Sequence, residues 1–448
     1  MSTYRTTPTD TKEMPPGIPY IVGNEAAERF NFYGLKAILV IYMTQYLMAR
    51  DGSLAPMSET EATKWFHFFM SANYALPALG AILADVFLGK YRTIFWLSLV
   101  YAAGCVVLAM DSTRFGLALG LGLIAFGAGG IKPCVSSHVG DQFGPSNQGL
   151  LAKAFSWFYL AVNFGSTFSI VLTPWLLKDY GAKWAFGIPA ALMVLAVFLF
   201  WAGRDKFIHV PPAGKSFFTR TFNWETARAL GGLAFIFAFM AVFWALWDQS
   251  SSTWVLQAEK MDRTVFGFEI MSSQIQAING PLILAFVPLC HYVIYPFINR
   301  VWTLTPLRKI GLGIFLIGVS FLVSAWIEVL LAQGARPTIW WQVPAYTLLS
   351  LGEVMASITA LEFAYTQAPK HLKAVVQALY LFSVSLGNFF TGSVQWFIAN
   401  PDGTSKLSGP VYFVFYACLA MGASLVFALV AGKYREDSQL QTETPAGT

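Results

Sequence analysis

A recurrence of long apolar runs constrains this chain more than any other feature. Runs at 24–48, 63–84, 92–110, 116–138, 150–174, 184–202, 229–255, 272–298, 309–332, 339–363, 372–399 and 411–432 alternate with short polar connections. A helix rises about 1.5 Å per residue, so each run is long enough to cross a hydrocarbon layer of about 30 Å. In lipid every backbone N–H and C=O must be satisfied within the protein, and a helix does this without a partner strand. Composition agrees, since 56% of the 448 residues are hydrophobic and only 12% are charged, which excludes an ordinary soluble domain. The expected fold class is an all-α membrane protein of twelve transmembrane helices.

The longest polar connection, "GRDKFIHVPPAGKSFFTRTFNWETAR", occupies 203–228 and divides the runs into six and six. The expected organisation is an N-terminal six-helix bundle over 1–202, a cytoplasmic linker over 203–228, and a C-terminal six-helix bundle with a polar tail over 229–448. Lys and Arg gather at the termini and in the even-numbered connections, at Arg5, Lys12, Lys90, Arg92, Lys153, Arg204, Lys206, Lys215, Arg220, Arg228, Arg300, Arg308, Lys309, Lys370, Lys373, Lys433 and Arg435. Fewer fall in the odd-numbered connections, so both termini are expected on the cytoplasmic side. The opening "MSTYRTTPTDTKEMPPGIPY" offers no continuous apolar core for a secretory signal. A net charge of +5, scattered along the chain, gives no reason to expect nucleic acid. Cys105, Cys134, Cys290 and Cys418 lie singly in apolar segments and read as packing residues rather than a disulfide or zinc framework.

Charges inside the spans carry the functional signal, because a charge at the bilayer centre costs roughly 2.5–3.5 kcal/mol on insertion scales and is kept where it faces a wet cavity. The first span, "NEAAERFNFYGLKAILVIYM", holds Glu25, Glu28, Arg29 and Lys36 at three- and four-residue steps with Phe32 and Tyr33 between them, a single helical stripe. His67, Lys132, Asp248, Glu328, Glu353 and Glu362 are the other ionisable candidates within spans. Two six-helix halves with mixed charges at mid-depth are the layout of a secondary transporter. No nucleophile with its base and no metal cluster gathers on one membrane face, so an enzyme is not expected.

These residues also carry a family resemblance. "EAAERFNFYG" is similar to the E-x-x-E-R-F-x-(F/Y)-Y-G signature of the proton-coupled oligopeptide transporters, the POT/PTR family of the major facilitator superfamily. "GAILADVFLGKYRT", "GAGGIKPCVSSHVGDQF", "FSWFYLAVNFGS", "FWALWDQSSSTW" and "GEVMASITALEFAYTQAP" extend the resemblance in order along nearly the whole chain. It implies a major facilitator fold in the inner or plasma membrane and import of di- and tripeptides with protons by alternating access. It further implies a monomer with no cofactor beyond the coupling proton. The alternative on the same fold is a proton-coupled transporter of nitrate or another small solute, against which the carboxylate of Glu353 argues.

Residue by residue, the resemblance implies proton coupling by Glu25, Glu28, Arg29, His67 and Lys132. It implies peptide binding by Arg29, Tyr33, Tyr74, Lys132, Asn163, Trp244, Asn279 and Glu353, and an extracellular gate formed by Lys36 and Asp248. In that scheme a carboxylate pairs with Lys132 or Arg29 when deprotonated and releases the cation to a peptide carboxylate when protonated. Two positions depart from the family pattern: Lys36 stands where Arg is common and lacks its bidentate fork, and Tyr380 stands where relatives often carry Trp. The 203–228 connection has no room for the two extra helices of many bacterial members, and His67 lies seven residues before Tyr74, as in animal relatives. Small residues in "GLGLIAFGAGGIKP" are expected to pack helices closely. Asp85, Gly89, Lys90 and Arg92 are expected to brace a cytoplasmic turn.

Overall fold

The structure is a computed structural model that describes residues 4–214, 224–367 and 373–431. Lys215, Arg220, Lys370, Lys433 and Arg435 lie outside the described residues, as do the side chains of Arg228 and Lys373. The described chain is helical almost throughout. In order, the long helices are α1 (Ile18–Gln45), α2 (Glu59–Ile82), α3 (Lys90–Met110), α4 (Arg114–Asp141), α5 (Leu151–Tyr180), α6 (Ala182–Ala202) and α7 (Trp224–Trp247). They continue with α8 (Asn279–Leu289), α9 (Pro306–Ala332), α10 (Gln342–Glu353), α11 (Lys373–Ile398) and α12 (Pro410–Ala431).

Eleven spans among the described residues are long and apolar enough to cross a membrane on length and composition. α1, at 28 residues, is set apart by Glu25, Glu28, Arg29 and Lys36. It starts at Ile18 rather than 24, because Pro19 in its first turn favours initiation and the polar stretch up to Arg29 is helical. α7 likewise begins at Trp224, before the apolar run that marks it in the sequence.

Helix starts follow from local chemistry. The hydroxyl of Ser58 accepts from the Glu61 amide at 3.2 Å, with Glu59 and Glu61 in the first turn of α2. Thr113 caps α4 in the same way through Gly116, also at 3.2 Å. The chain turns between α2 and α3 at Gly89, whose φ of 77° only glycine adopts without strain. Near this turn the Lys90 ammonium bonds Asp141 at 2.7 Å, tying α3 to the end of α4, so the brace expected around Asp85 closes through a carboxylate from another helix. α3 and α4 pack so closely that a Cβ on Gly104 would lie 2.7 Å from the Gly120 carbonyl oxygen, the contact expected of the glycine-rich run. Among the described residues, three helical stretches widen into π-turns, at Leu83–Leu88, Cys290–Ile294 and Val354–Ile358.

The chain forms two compact units. The first comprises Met1–Phe217, Gln249–Ala277 and Phe389–Lys406. In it α4 packs on α2 and α3, and α1 on α5 and α6, around buried Ile38, Tyr42, Phe66, Met70, Tyr101 and Ile124. The helix Thr253–Glu259 and a two-stranded hairpin, β1 (Thr264–Val265) with β2 (Phe268–Glu269), belong to this unit. The hairpin turns through Phe266 at φ 50° and Gly267 at φ 84°, the paired positive values of a tight primed turn. The second unit comprises Phe218–Asp248, Ile278–Asn388 and Leu407–Thr448, with α9 packed on α10 and α12. Cys105, Cys134 and Cys290 are buried, Cys418 is exposed, and none is in a disulfide.

After α6 the chain returns along the end of the first unit. The ring of His209 stacks on Tyr4 at 4.1 Å, its amide donates to the Arg5 carbonyl at 2.7 Å, and its Nε2 lies 2.8 Å from the Arg204 carbonyl. Burial holds this imidazole below its ordinary 6.5, reinforced by Arg92 and opposed by the Arg204 bond and by Asp205. The neutral ring is therefore the native form, and its stabilisation, full above 6.5, is lost as pH falls through the lowered midpoint. A resonance titration of His209 should give a midpoint under 6.5 and weaker protection of its amide in acid; a midpoint at or above that value would contradict the packing.

Candidate functional site

In the first unit, α1 places Glu25, Glu28 and Arg29 within one turn. The Arg29 Nε lies 2.6 Å from Glu25 Oε1 and 3.0 Å from Glu28 Oε2, so one guanidinium serves two carboxylates. Glu28 is fully buried, and among the described residues its oxygens have no hydrogen bond beyond this ion pair. Burying a carboxylate is costly unless a cation compensates, and a group so placed is sensitive to the arrival of a proton or another anion. Of the two cations that the resemblance offers these carboxylates, Arg29 makes the pair and Lys132 on α4 is held otherwise. Its ammonium donates to Asn73 Oδ1 at 2.8 Å and lies 4.0 Å from the Phe32 ring centre and 4.5 Å from that of Tyr74. Among the described residues it forms no ion pair with Glu25 or Glu28, and its ammonium lies over two aromatic rings, which attract a cation.

Tyr33 and Tyr74, both partly exposed, flank Phe32, which meets each ring edge-on at 5.4 and 6.4 Å. Asn163 on α5 is exposed and bonds back to the Tyr159 carbonyl of its own helix at 2.8 Å. His67, fully buried on α2, has its Nε2 3.0 Å from the hydroxyl of Ser252, which lies in the "DQSSSTW" stretch. Lys36, further along α1, is buried. Beside the cluster, Asn31 donates to the Pro189 carbonyl of α6 and accepts from the Cys105 thiol at 3.1 Å. This clamp ties α1 to α3 and α6 beside the charged cluster. Asn31 sits inside the signature, and only the fold reveals its partners.

In the second unit, Glu353 ends the regular part of α10, immediately before the π-turn Val354–Ile358. Its Oε2 accepts from Trp247 Nε1 at 2.8 Å and from Asn279 Nδ2 at 3.1 Å, and Asn279 also donates to Ser350 at 3.0 Å. Trp244 stands edge-on to Trp247 at 5.4 Å and to Tyr380 at 5.9 Å. The Tyr380 hydroxyl lies 2.6 Å from that of Ser357 within the π-turn. Glu353, Asn279, Trp244 and the variant Tyr380 thus form one polar, aromatic wall. Trp247 completes it, one turn beyond Trp244, and sequence reasoning missed it because a Trp in an apolar run reads as packing. Asp248 is buried and accepts from Asn388 Nδ2 at 2.6 Å. Asn388 closes the "QALYLFSVSLGN" stretch, where it looked like an ordinary polar helix residue.

The comparisons with known proteins bear on this geometry. A family profile described as the POT family matches residues 91–227 and 223–414. Peptide transporter family 1 of Drosophila melanogaster is 39% identical over 368 residues, which is 72% of this chain and 48% of the fly protein. Solute carrier family 15 member 2 of Homo sapiens is 34% identical over 366 residues, 70% of this chain and 49% of the human protein. The chain spans about half the length of these curated relatives. Among solved structures, an auto-inhibited POT family peptide transporter superposes with a TM-score of 0.85 at 34% identity, covering 95% of this chain and 99% of that one. The POT family transporter PepTSo does so with a TM-score of 0.84, also at 34% identity, over 94% and 99% of the two chains. The fold is therefore that of the major facilitator superfamily. Because the profile reaches across both units and the superposition leaves little of the chain unmatched, the chain belongs to the POT family.

Proposed function

We propose that this chain is a proton-coupled symporter importing di- and tripeptides by alternating access. The observation that carries the reading is a complementarity of charge. The first unit presents Arg29 and Lys132 beside two titratable carboxylates, and the second presents a carboxylate, Glu353, framed by Trp247 and Asn279. In the family scheme, a zwitterionic peptide supplies a carboxylate for cations of the first kind and an ammonium for a carboxylate such as Glu353. Trp244 and Tyr380 offer aromatic surface to side chains without fixing their identity, while Tyr33, Tyr74 and Asn163 add hydrogen-bonding groups. Nitrate has no group for Glu353.

Coupling follows from the shared guanidinium. While Glu25 and Glu28 are both ionised, Arg29 is held by both. A proton on either carboxylate releases part of that attraction, and the freed donors can take a peptide carboxylate with charge-assisted hydrogen bonds. His67 enters as a second proton carrier, since a proton on its ring fixes which atom donates toward Ser252. Lys36 and Asp248 enter as the outer-gate charges that the resemblance implies. The same reading places the protein in a cell membrane with both termini cytoplasmic, working as a monomer with the proton as its only coupling ion. Proteoliposome uptake under an imposed inward proton gradient tests it. Dialanine should accumulate, while nitrate and free alanine should not; accumulation of either without dialanine would overturn the proposal.

A further inference from the structure

At one end of the second unit a groove of about 450 Å³ runs between the start of α9 and the end of α12. Leu307, Gly311, Phe427 and Ala431 line its length, while Trp302, Thr305 and Arg308 stand at its mouth. The Ser424 hydroxyl on its floor donates to the Gly311 carbonyl at 2.8 Å, so away from the Thr305 and Arg308 end the slot is mostly apolar. The mouth is cationic. Arg308 is exposed, lies 4.8 Å from the Trp302 ring centre, and donates to the Thr303 carbonyl. Among the described residues it makes no ion pair. One residue on, Lys309 rests 4.3 Å over the Tyr295 ring and adds a second positive charge to this end of α9.

A largely apolar slot along two membrane-spanning helices, with an indole and a guanidinium at one end, has the polarity of a glycerophospholipid. Its long axis suits an acyl chain, its Trp suits the depth of the interface, and Arg suits a phosphodiester. A peptide or other water-soluble solute would leave the slot unfilled. We infer that this groove binds one anionic phospholipid, its phosphate held by Arg308 and one acyl chain laid along Gly311 and Phe427. The site is separate from the residues proposed for peptide and proton, and its lipid would bear on how α9 and α12 stay together.

Native mass spectrometry of the full chain, titrated with phosphatidylglycerol and with phosphatidylcholine of the same acyl composition, tests the assignment. The wild type should bind phosphatidylglycerol at least about five-fold more tightly. Arg308→Gln should erase that preference while leaving phosphatidylcholine binding in place. Gly311→Leu should weaken both lipids, because a Cβ there meets Phe427 at an ordinary 3.4 Å and the added bulk can extend into the slot. If Gly311→Leu does not fold, the Arg308→Gln result decides alone. Equal preference in wild type and Arg308→Gln would overturn the proposal. So would competition by tail-free glycerophosphoglycerol as effective as by the lipid, which would mark a simple anion site, or a lipid-independent dimer lost in Gly311→Leu, which would assign the groove to a second copy.

Discussion

Glu28→Gln is expected to abolish gradient-driven peptide accumulation while sparing peptide exchange between loaded vesicles. Each pH unit of gradient represents about 1.4 kcal/mol per proton and so supports up to about tenfold accumulation for every proton coupled; the variant should show a ratio near one. The reason lies in the geometry around Arg29, which is 3.0 Å from Glu28 and 2.6 Å from Glu25. Gln reproduces the shape of a protonated carboxyl but cannot release a proton, so the guanidinium remains in its partly freed state throughout the cycle. Transport then equilibrates peptide without concentrating it. Glu25→Gln tests the neighbour by the same readout, and undiminished accumulation in either variant would remove that carboxylate from the coupling step.

Glu353→Gln should cost about 10- to 100-fold in apparent affinity for zwitterionic dipeptides, the range expected when a charge-assisted hydrogen bond is replaced by a neutral one. The substitution is mild for the protein, since a Gln carbonyl can still accept from Trp247 and Asn279. N-acetylated dipeptides present no ammonium, so their affinity should change by less than about threefold. Competition assays with matched free and acetylated dipeptides separate the cases. An equal loss for both would mean that Glu353 shapes the wall and recognises nothing.

The stripe on α1 was legible because charges spaced for a helix have no bland explanation in an apolar span. The same logic marked Glu353 and Asp248. What the sequence withheld was pairing. Arg29 holds Glu28 while Lys132 rests on Asn73, Phe32 and Tyr74, a choice between neighbours that depends on where α2 and α4 bring their side chains. Ser252 meets His67 across 185 residues, and Asn388 meets Asp248 across 140, separations at which periodicity says nothing. Helix ends were blurred for a related reason: polar residues such as Asn24 and Glu25 are buried within α1, so its start does not coincide with a change in hydropathy.

The π-turn Val354–Ile358 means that α10 carries one residue more than its length along the axis requires. Deleting a single residue there could convert the wide turn to an α-turn, while the same deletion in a regular turn would swing everything beyond it by about 100°. Ser350 and Glu353 lie before the turn and would keep their orientation, whereas Ser357, which meets Tyr380, lies within it. A one-residue deletion along this helix should therefore be tolerated at this turn before any regular one. Such a change would alter the Tyr380 side of the wall while leaving the Glu353 carboxylate where it is, so on the proposed reading side-chain preference diverges at this turn without loss of the ammonium contact.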